Sequence, residues 1–124
     1  MAAENVLARE DFGTAQGVKN LTTSAAVTTY TAKTGRDSDG FIIDRVIRVT
    51  TTDGNNMAIT LPNGTYYGQT ILVIFEVEGS AETVDVSADT GDSATQMTAA
   101  GGFHYAVYSG PTIGWTTLAG DAGE

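Results

Sequence analysis

The sequence predicts an all-β fold: a compact sandwich or barrel-like module of seven to eight short antiparallel strands with an N-terminal arm. Apolar and polar residues alternate over short stretches, and turns rich in Gly, Asp, Asn and Pro separate these stretches. Turn signals at intervals of about 8 to 12 residues are typical of sandwiches and barrels. Because no long period recurs, the sequence argues against a solenoid.

Three regions follow from this pattern: an arm over residues 1–24, a β-domain over 25–120 and a polar tail over 121–124. A chain of 124 residues fits a single domain that can bury a core of its own. The apolar residues of the arm follow neither a strand period nor a sustained helix period. A frayed terminus is one interpretation of the arm, and packing against another surface is the other.

The first three strands are expected at residues 25–31, 41–52 and 57–61. The second is the longest, and Arg45 interrupts its apolar face, which indicates a sheet edge, a bulge or a subunit contact. The apolar residues of that face are Phe41, Ile43, Ile47 and Val49.

The core strand is expected at residues 69–78, and its first half is predicted to be central because it carries apolar residues on both faces there. One face consists of Ile71, Val73, Phe75 and Val77, and the other of Thr70, Leu72, Ile74 and Glu76. A strand at 83–88 then places Val84 and Val86 inward, and a short one is expected at 96–98.

The last two strands are expected at residues 103–108 and 114–118. On the first of these, Phe103, Tyr105 and Val107 share one phase and are predicted to face the core. His104 has the opposite phase and is predicted to lie at a surface or an interface.

Charge is distributed unevenly along the chain. All six basic residues lie in the first 48 positions, whereas the chain from Val49 onward carries nine acids and no base, so the net charge of −9 belongs to that part. Nucleic-acid binding requires cations that displace counterions, so no nucleic-acid partner is expected. The longest apolar run, residues 71–75, is far shorter than the about 18 residues that a membrane span needs, and no membrane partner is expected.

Catalytic chemistry has little support in the sequence. The chain has no cysteine, which excludes thiol catalysis and cysteine-based zinc sites. A Ser–His–Asp triad would have to use His104, the only histidine. The acids that cluster near one turn (Glu76, Glu78, Glu82 and Asp85) are interpreted as solvated strand ends. We therefore predict that the protein is not an enzyme and needs no cofactor.

Two binding alternatives remain open. The segments 37–40 and 89–93 place carboxylates beside glycines, as calcium loops do, although neither completes an EF-hand pattern and Asp and Gly also favour ordinary turns. Several aromatic residues, with Tyr66 and Tyr67 in a turn, are candidates for a sugar-binding groove.

Five short motifs resemble the small β-modules of tailed-phage virion proteins, which occur as capsid decoration (cement) proteins and in head or tail fibres. In this sequence they are Thr60-Leu61-Pro62, Gly68-Gln69-Thr70, Val84-Asp85-Val86, Gly102-Phe103-His104-Tyr105 and Gly114-Trp115-Thr116-Thr117-Leu118-Ala119-Gly120. The stretch that they span covers about half of the chain.

The resemblance implies a non-enzymatic, homotrimeric virion component on the outer capsid surface, whose partner is the major capsid protein. A single short module suits a decoration protein that binds across capsomers and stabilises the shell. The alternative is a phage fibre or carbohydrate-binding β-module that recognises a host glycan. The candidate capsid-binding residues are Val6, Leu7, Phe12, Val18 and Leu21 on the arm and the arginines Arg36, Arg45 and Arg48.

Overall fold

The computed structural model describes residues 17–35, 43–91 and 95–121, and in these ranges the chain forms nine strands and one short helix. The strands are β1 (Val18–Thr22), β2 (Thr29–Thr31), β3 (Val46–Thr50), β4 (Met57–Leu61), β5 (Thr70–Val77), β6 (Val84–Ala88), β7 (Thr95–Met97), β8 (Phe103–Tyr108) and β9 (Trp115–Asp121). The helix α1 (Gly110–Ile113) has four residues and lies between β8 and β9. The predicted all-β character is confirmed.

The strands form two mixed sheets. The five-stranded sheet has the order β1-β3-β5-β8-β9, and the four-stranded sheet has the order β2-β4-β6-β7. From β1 to β6 the chain alternates between the two sheets, and each strand lies parallel to the one two positions earlier. The prediction of antiparallel strands is therefore wrong for this part of the chain, and the described strands do not close into a barrel.

We call each pair of successive strands, one from each sheet, a coil; β1 and β2, β3 and β4, and β5 and β6 form three coils. These coils have similar lengths. Val18 pairs with Val46 and Val46 pairs with Leu72, which are separations of 28 and 26 residues along the chain. Three coils thus lie side by side as in a short solenoid, a possibility that the sequence argued against. The coils differ in length, and the turns between their strands differ as well. The repeat is therefore visible in the strand pairing but leaves no regular period in the sequence.

Antiparallel strands end the parallel region. In the four-stranded sheet β7 pairs with β6, and in the five-stranded sheet β8 pairs with β5 and β9 with β8. The antiparallel strands lie beyond the last parallel strand of each sheet, which is β5 in the five-stranded sheet and β6 in the four-stranded sheet. The prediction that the first half of the core strand is central is confirmed, because β5 is the middle strand of its sheet.

Inward residues of both sheets share one buried cluster. In the five-stranded sheet Ile47 lies opposite Val73 and Val49 opposite Phe75, and all four are fully buried. The predicted inward placement of Val84 and Val86 in the four-stranded sheet is likewise confirmed, since both are 0% exposed. Burying each side chain of this size contributes about 1.5–3 kcal/mol, which makes this cluster the main source of stability.

Strand β8 corrects a sequence prediction. His104 (4% exposed), Ala106 and Tyr108 face the core, whereas Phe103, Tyr105 and Val107 face outward and are half-buried. The prediction directed the more apolar side chains of β8 toward the core. It was wrong because in this strand the more apolar side chains face outward. Similarly, Val77 at the end of β5 is 49% exposed rather than inward, because the register between β3 and β5 shifts near Thr50.

The first strands also differ from their predicted bounds. Residues 18–22, which the sequence assigned to the arm, form the edge strand β1. The long strand expected at 41–52 begins at Val46 in the described part, and Arg45 precedes it as an exposed residue rather than interrupting its face. Phe41 lies outside the described residues.

A buried glutamine ties one corner of a coil to the preceding coil. The Gln69 side chain is 2% exposed, its Nε2 donates to the carbonyl of Thr34 at 3.0 Å, and its Oε1 accepts from the backbone amide of Thr65 at 2.6 Å. Buried polar groups are stable only when they are hydrogen-bonded. Gln69 therefore fixes the turn before β5 relative to the segment that leaves β2.

Trp115 connects the two sheets at the start of β9. The side chain is 1% exposed, its Nε1 donates to the carbonyl of Pro62 at 2.8 Å, and its ring lies 5.3 Å from that of Tyr108. Gly114 (φ 75°) precedes it, and a Cβ there would lie 2.1 Å from the carbonyl oxygen of Thr90. The glycine therefore permits the close approach that lets the amide of Trp115 donate to Thr90.

We predict that Trp115→Phe destabilises the protein by about 1–3 kcal/mol, because it shrinks a buried side chain and leaves the half-buried carbonyl of Pro62 without its donor. Urea unfolding followed by circular dichroism measures this change, since the variant lacks the only tryptophan. Ile113→Ala is the matched control, because Ile113 is 62% exposed and should change stability by less than about 0.5 kcal/mol. Equal urea midpoints for Trp115→Phe and the wild type would contradict this account of Trp115.

Candidate functional site: the outward face of the five-stranded sheet

The outward side of the five-stranded sheet is unusually apolar. Leu72 on β5 lies opposite Tyr105 on β8, Ile74 lies opposite Phe103, and all four are half-buried. Together with Gly101 they line a shallow hollow of about 440 Å³. This arrangement arises because β5 is apolar on both faces and β8 directs its aromatic residues outward.

The apolar surface continues toward the sheet edge at β1. Val18 lies opposite Val46, and Val46 lies opposite Leu72, so one apolar row crosses four adjacent strands and ends at Tyr105. We define the apolar face by its six described members: Val18, Val46, Leu72, Ile74, Phe103 and Tyr105.

The four-stranded sheet presents a different outward surface. Its outward residues on β2, β4 and β6 are polar except for Ala58. They are Thr29, Thr31, Ala58, Thr60, Asp85 and Ser87. A sheet with one solvated side shows this polar composition, whereas a contiguous apolar surface indicates an interaction site. The outward surface of the five-stranded sheet is therefore suited to a contact with another molecule, whereas that of the four-stranded sheet is suited to solvent.

An exposed ion pair borders the apolar face. The Arg48 guanidinium donates from Nε to Glu76 Oε2 at 2.9 Å, and its second nitrogen lies 2.5 Å from the same oxygen. The side chains are 43% and 40% exposed, so the pair contributes at most about 1 kcal/mol to stability. Its charges cancel, which leaves this surface neutral among the side chains that the structure describes.

The predicted capsid-binding residues fall into several environments. Val6, Leu7, Phe12 and Arg36 lie outside the described residues. Val18 belongs to the apolar face, and Arg48 lies beside it on β3. Arg45 is exposed next to Gly17, whose carbonyl oxygen accepts from its amide.

Leu21 lies in the core and is 7% exposed, so its side chain does not reach a partner in this fold. On β1 it lies opposite Val49 of β3 and packs in the core. The structure therefore brings Val18 and Arg48 to one outward surface and separates Leu21 from them.

Sequence reasoning missed five members of the apolar face: Val46, Leu72, Ile74, Phe103 and Tyr105. Phe103 and Tyr105 were assigned to the core because aromatic residues in one phase usually face inward. The alternation along β5 did place Leu72 and Ile74 on the second face of that strand. The sequence did contain a signal for this face. Both β5 and β8 carry apolar or aromatic side chains on both sides, whereas a strand with one solvated side needs them on the other side only.

The sequence analysis interpreted Glu82 as a solvated acid at a strand end, but in the structure its side chain is buried. It is 1% exposed; Oε1 accepts from the Ser80 amide at 2.7 Å and the Thr51 hydroxyl at 3.0 Å, and Oε2 accepts from the Gly54 amide at 2.6 Å. The Ser80 amide, opposed by burial and aided by the Gly54 amide and the Thr51 hydroxyl, holds the pKa of Glu82 below its ordinary value. Such a carboxylate stays ionised, so it joins two turns and is a poor general acid.

The other buried titratable side chains also have structural contacts. Asp44, 3% exposed, accepts from the Tyr30 hydroxyl at 2.6 Å and from the Lys33 amide at 2.8 Å. The Nε2 atom of His104 lies 3.4 Å from the hydroxyl of Thr117. In the described ranges no three His, Asp or Glu side chains come together in a group that could hold a metal ion.

The two alternative binding sites are only partly in view. Segment 37–40 and residues 92–93 of the second acidic loop lie outside the described residues. Tyr66 and Tyr67 are 54% and 75% exposed and reach solvent, whereas Trp115 and Tyr108 are buried and cannot stack on a sugar.

Over residues 17–35, 43–91 and 95–121, the fold contains no helix with the length and apolar character of a membrane span. Comparison with models of known protein families finds no match, and comparison with curated proteins finds no match at a significant level.

We predict that Glu82→Gln lowers the urea midpoint at neutral pH, because the amide group of glutamine cannot accept from all three donors. The folded pKa of Glu82 is lowered, so its contribution is fully present above the ordinary glutamate pKa of about 4.3 and is lost as the pH falls through the lower folded value. The difference between wild type and variant should therefore be large at pH 7 and shrink on acidification below about pH 4.

The matched control for this pH series is Glu78→Gln, which changes a half-buried glutamate near the same turn. It should leave the urea midpoint close to that of the wild type. A Glu82→Gln deficit that stays constant from neutral to acidic pH would contradict an ionised Glu82 in the folded state.

Proposed function

We propose that this chain is a structural virion protein that decorates the outer capsid surface of a tailed phage and stabilises the shell by binding across capsomers as a homotrimer. The observation that carries the proposal is the apolar face on a small, acidic β-module whose other sheet is polar outside. An apolar surface of this kind favours a protein that works in an assembly. The motifs that resemble phage virion modules favour the capsid as its setting.

The proposed module is a rigid sandwich of the two sheets that takes no part in catalysis. Its support is that Glu82 and Asp44 are engaged by turn amides and that Gln69 and Trp115 join separate segments of the chain. A rigid module suits a protein that must resist outward pressure on a shell, and the proposal needs no cofactor. The partner is the major capsid protein, with no role for nucleic acid or membrane.

Many weak contacts are sufficient for the proposed mechanism. A trimer that holds several capsomers at once converts each later contact into an intramolecular step, so modest single interfaces give strong overall binding. The proposed shell contacts are Val6, Leu7 and Phe12 on the arm, together with Arg36 and the exposed Arg45. The surface acids from Val49 onward, which contribute the net negative charge, would face solvent and keep decorated shells from associating.

We predict that deletion of residues 1–16 weakens binding to shells of the same virus by at least tenfold, because it removes Val6, Leu7 and Phe12. The deletion leaves Gly17 in place, whose carbonyl accepts from the amides of Arg45 and Val46, so β1 and the thermal midpoint should be retained. Co-sedimentation with shells assembled from the major capsid protein of that virus measures the binding.

Deletion of residues 122–124 is the matched control and should bind like the full chain. Unchanged binding after deletion of residues 1–16 would contradict the arm as the grip on the shell. An absence of binding by the full chain to these shells would reject capsid decoration itself.

A fibre or carbohydrate-binding module is the second candidate function, and the exposure of Tyr66 and Tyr67 favours it. Exposed aromatic rings provide stacking surfaces for sugars. A glycan-array signal from the wild type that Tyr67→Ala abolishes and that the apolar-face variant Ile74→Lys retains would support this function over capsid decoration.

A further inference from the structure

In the first coil a lysine takes an inward position that the later coils give to aliphatic residues. Lys19 lies opposite Ile47, and Ile47 lies opposite Val73, so these residues form one row across β1, β3 and β5. Ile47 and Val73 are fully buried, whereas Lys19 is half-buried. Lys19 has the same phase as Leu21, which lies in the core, so its stem points between the sheets. The row therefore ends in a charge at the edge of the sheet.

The four-stranded sheet ends in a similar way. Tyr30 lies opposite Ile59, and Ile59 lies opposite Val86, in a row across β2, β4 and β6. The two aliphatic residues are buried, whereas Tyr30 is half-buried against the core. Lys19 Nζ lies 5.5 Å from the centroid of the Tyr30 ring, and the Tyr30 hydroxyl donates to Asp44 Oδ2 at 2.6 Å. A cation–π contact thus joins the edge strands of the two sheets.

We propose that Lys19 and Tyr30 form a terminal cap, which stops a second copy of this chain from extending the stack of coils at β1 and β2. Both strands are edges of their sheets among the described strands, so the stack has an open end at the first coil. Repeat proteins need terminal units with a polar outer face, and inward-pointing charges keep edge strands from pairing with other chains. The terminal cap goes beyond the proposed function and does not depend on what the module binds.

The backbone of β1 is able to pair with an added strand. The amide of Thr23, directly after β1, donates to the carbonyl of Thr50 on β3. Because the amides of a strand alternate between its two edges, those of Asn20 and Thr22 point away from β3. None of the described strands lies beside that edge. The obstacle to an added strand therefore lies in the side chains of the first coil.

The charge of Lys19 supplies this obstacle. Neighbouring strands lie about 4.8 Å apart, so the inward side chains of an added strand would take the ammonium group out of water. A buried ammonium group needs a carboxylate partner. The described inward side chains on β7 and β9, which are Met97, Trp115 and Thr117, carry no charge. The first coil of another copy would bring a second Lys19, so neither end of a second copy provides the counter-charge.

The first test replaces the charge by the aliphatic residue of the same row. We expect the molar mass of Lys19→Ile, measured by light scattering after size exclusion, to rise with concentration to about double that of the wild type. Lys19→Arg retains an inward charge and should keep the wild-type mass. Thr60→Ile adds the same apolar side chain at a half-buried outward position of the four-stranded sheet, and it should also keep that mass.

Two outcomes of this test overturn the proposal. One is a wild-type mass for Lys19→Ile at every concentration, with a circular dichroism spectrum that shows the variant to be folded. The other is association of Thr60→Ile to the same extent, because any added apolar side chain would then have this effect.

Hydrogen exchange locates the association and also tests the wild type directly. The amides of Asn20 and Thr22 should exchange rapidly in the wild type, because they point to an open edge. In associated Lys19→Ile they should exchange at least about tenfold more slowly, whereas the amide of Thr23, already bonded to Thr50, should keep its rate. Slow exchange of Asn20 and Thr22 in the wild type overturns the proposal even if Lys19→Ile fails to fold, because the edge would already be occupied.

These outcomes are separable from those of the proposed function. Association of Lys19→Ile through β1, in a protein whose wild type does not bind shells, would reject capsid decoration and retain the terminal cap. Shell binding by a wild type whose Lys19→Ile variant keeps the wild-type mass would reject the terminal cap and retain capsid decoration.

Discussion

Parallel pairing between successive coils is the constraint on which the rest of the structure depends. Since each coil places one strand in each sheet, the pairing aligns the inward residues of three coils into rows, and those rows form the core. Parallel strands require long connections that cross between the sheets, and the corners of these connections contain backbone amides that need partners. Buried polar side chains supply them, with Glu82, Gln69 and Asp44 each accepting from amides at such corners.

This arrangement explains why the sequence predicts some features and not others. Local alternation was sufficient to place Val84 and Val86 inward and to identify β5 as central, because those properties depend on one strand alone. The pairing partner of each strand depends on chain crossings that local pattern does not encode, so the parallel order was missed. Corner residues such as Glu82 look like solvated turn acids until the neighbouring coil is known.

The candidate site was predicted less well than the fold, for a related physical reason. Strand β8 has a more apolar outward phase than inward phase, so a rule that directs apolar residues to the core inverts it. The inversion is informative, since a strand with Tyr105 outside and His104 inside is well adapted only if its outer surface is also covered. Val18 and Arg48 were selected for partner binding from their positions in the chain, and both lie on or beside that surface. The arm residues before Gly17 remain predictions.

The proposed assembly divides the chain into parts with different tasks. The apolar face would contact a neighbour in the assembly, the polar face of the four-stranded sheet and the acidic surface would meet solvent, and the arm would grip the shell. In this division each surface has the charge and polarity that its neighbour requires. The buried hydrogen bonds at the corners would hold the two sheets together as one body, so that force applied at the arm is transmitted to the whole module.

Electron cryomicroscopy of shells saturated with the full chain tests the central claim most directly, because it shows both the site of binding and the orientation of the bound module. The account predicts three-fold density on the outer surface in which the apolar face is covered by a protein neighbour and the four-stranded sheets face solvent. Density for single chains, or for modules whose apolar face is exposed to solvent, would contradict it.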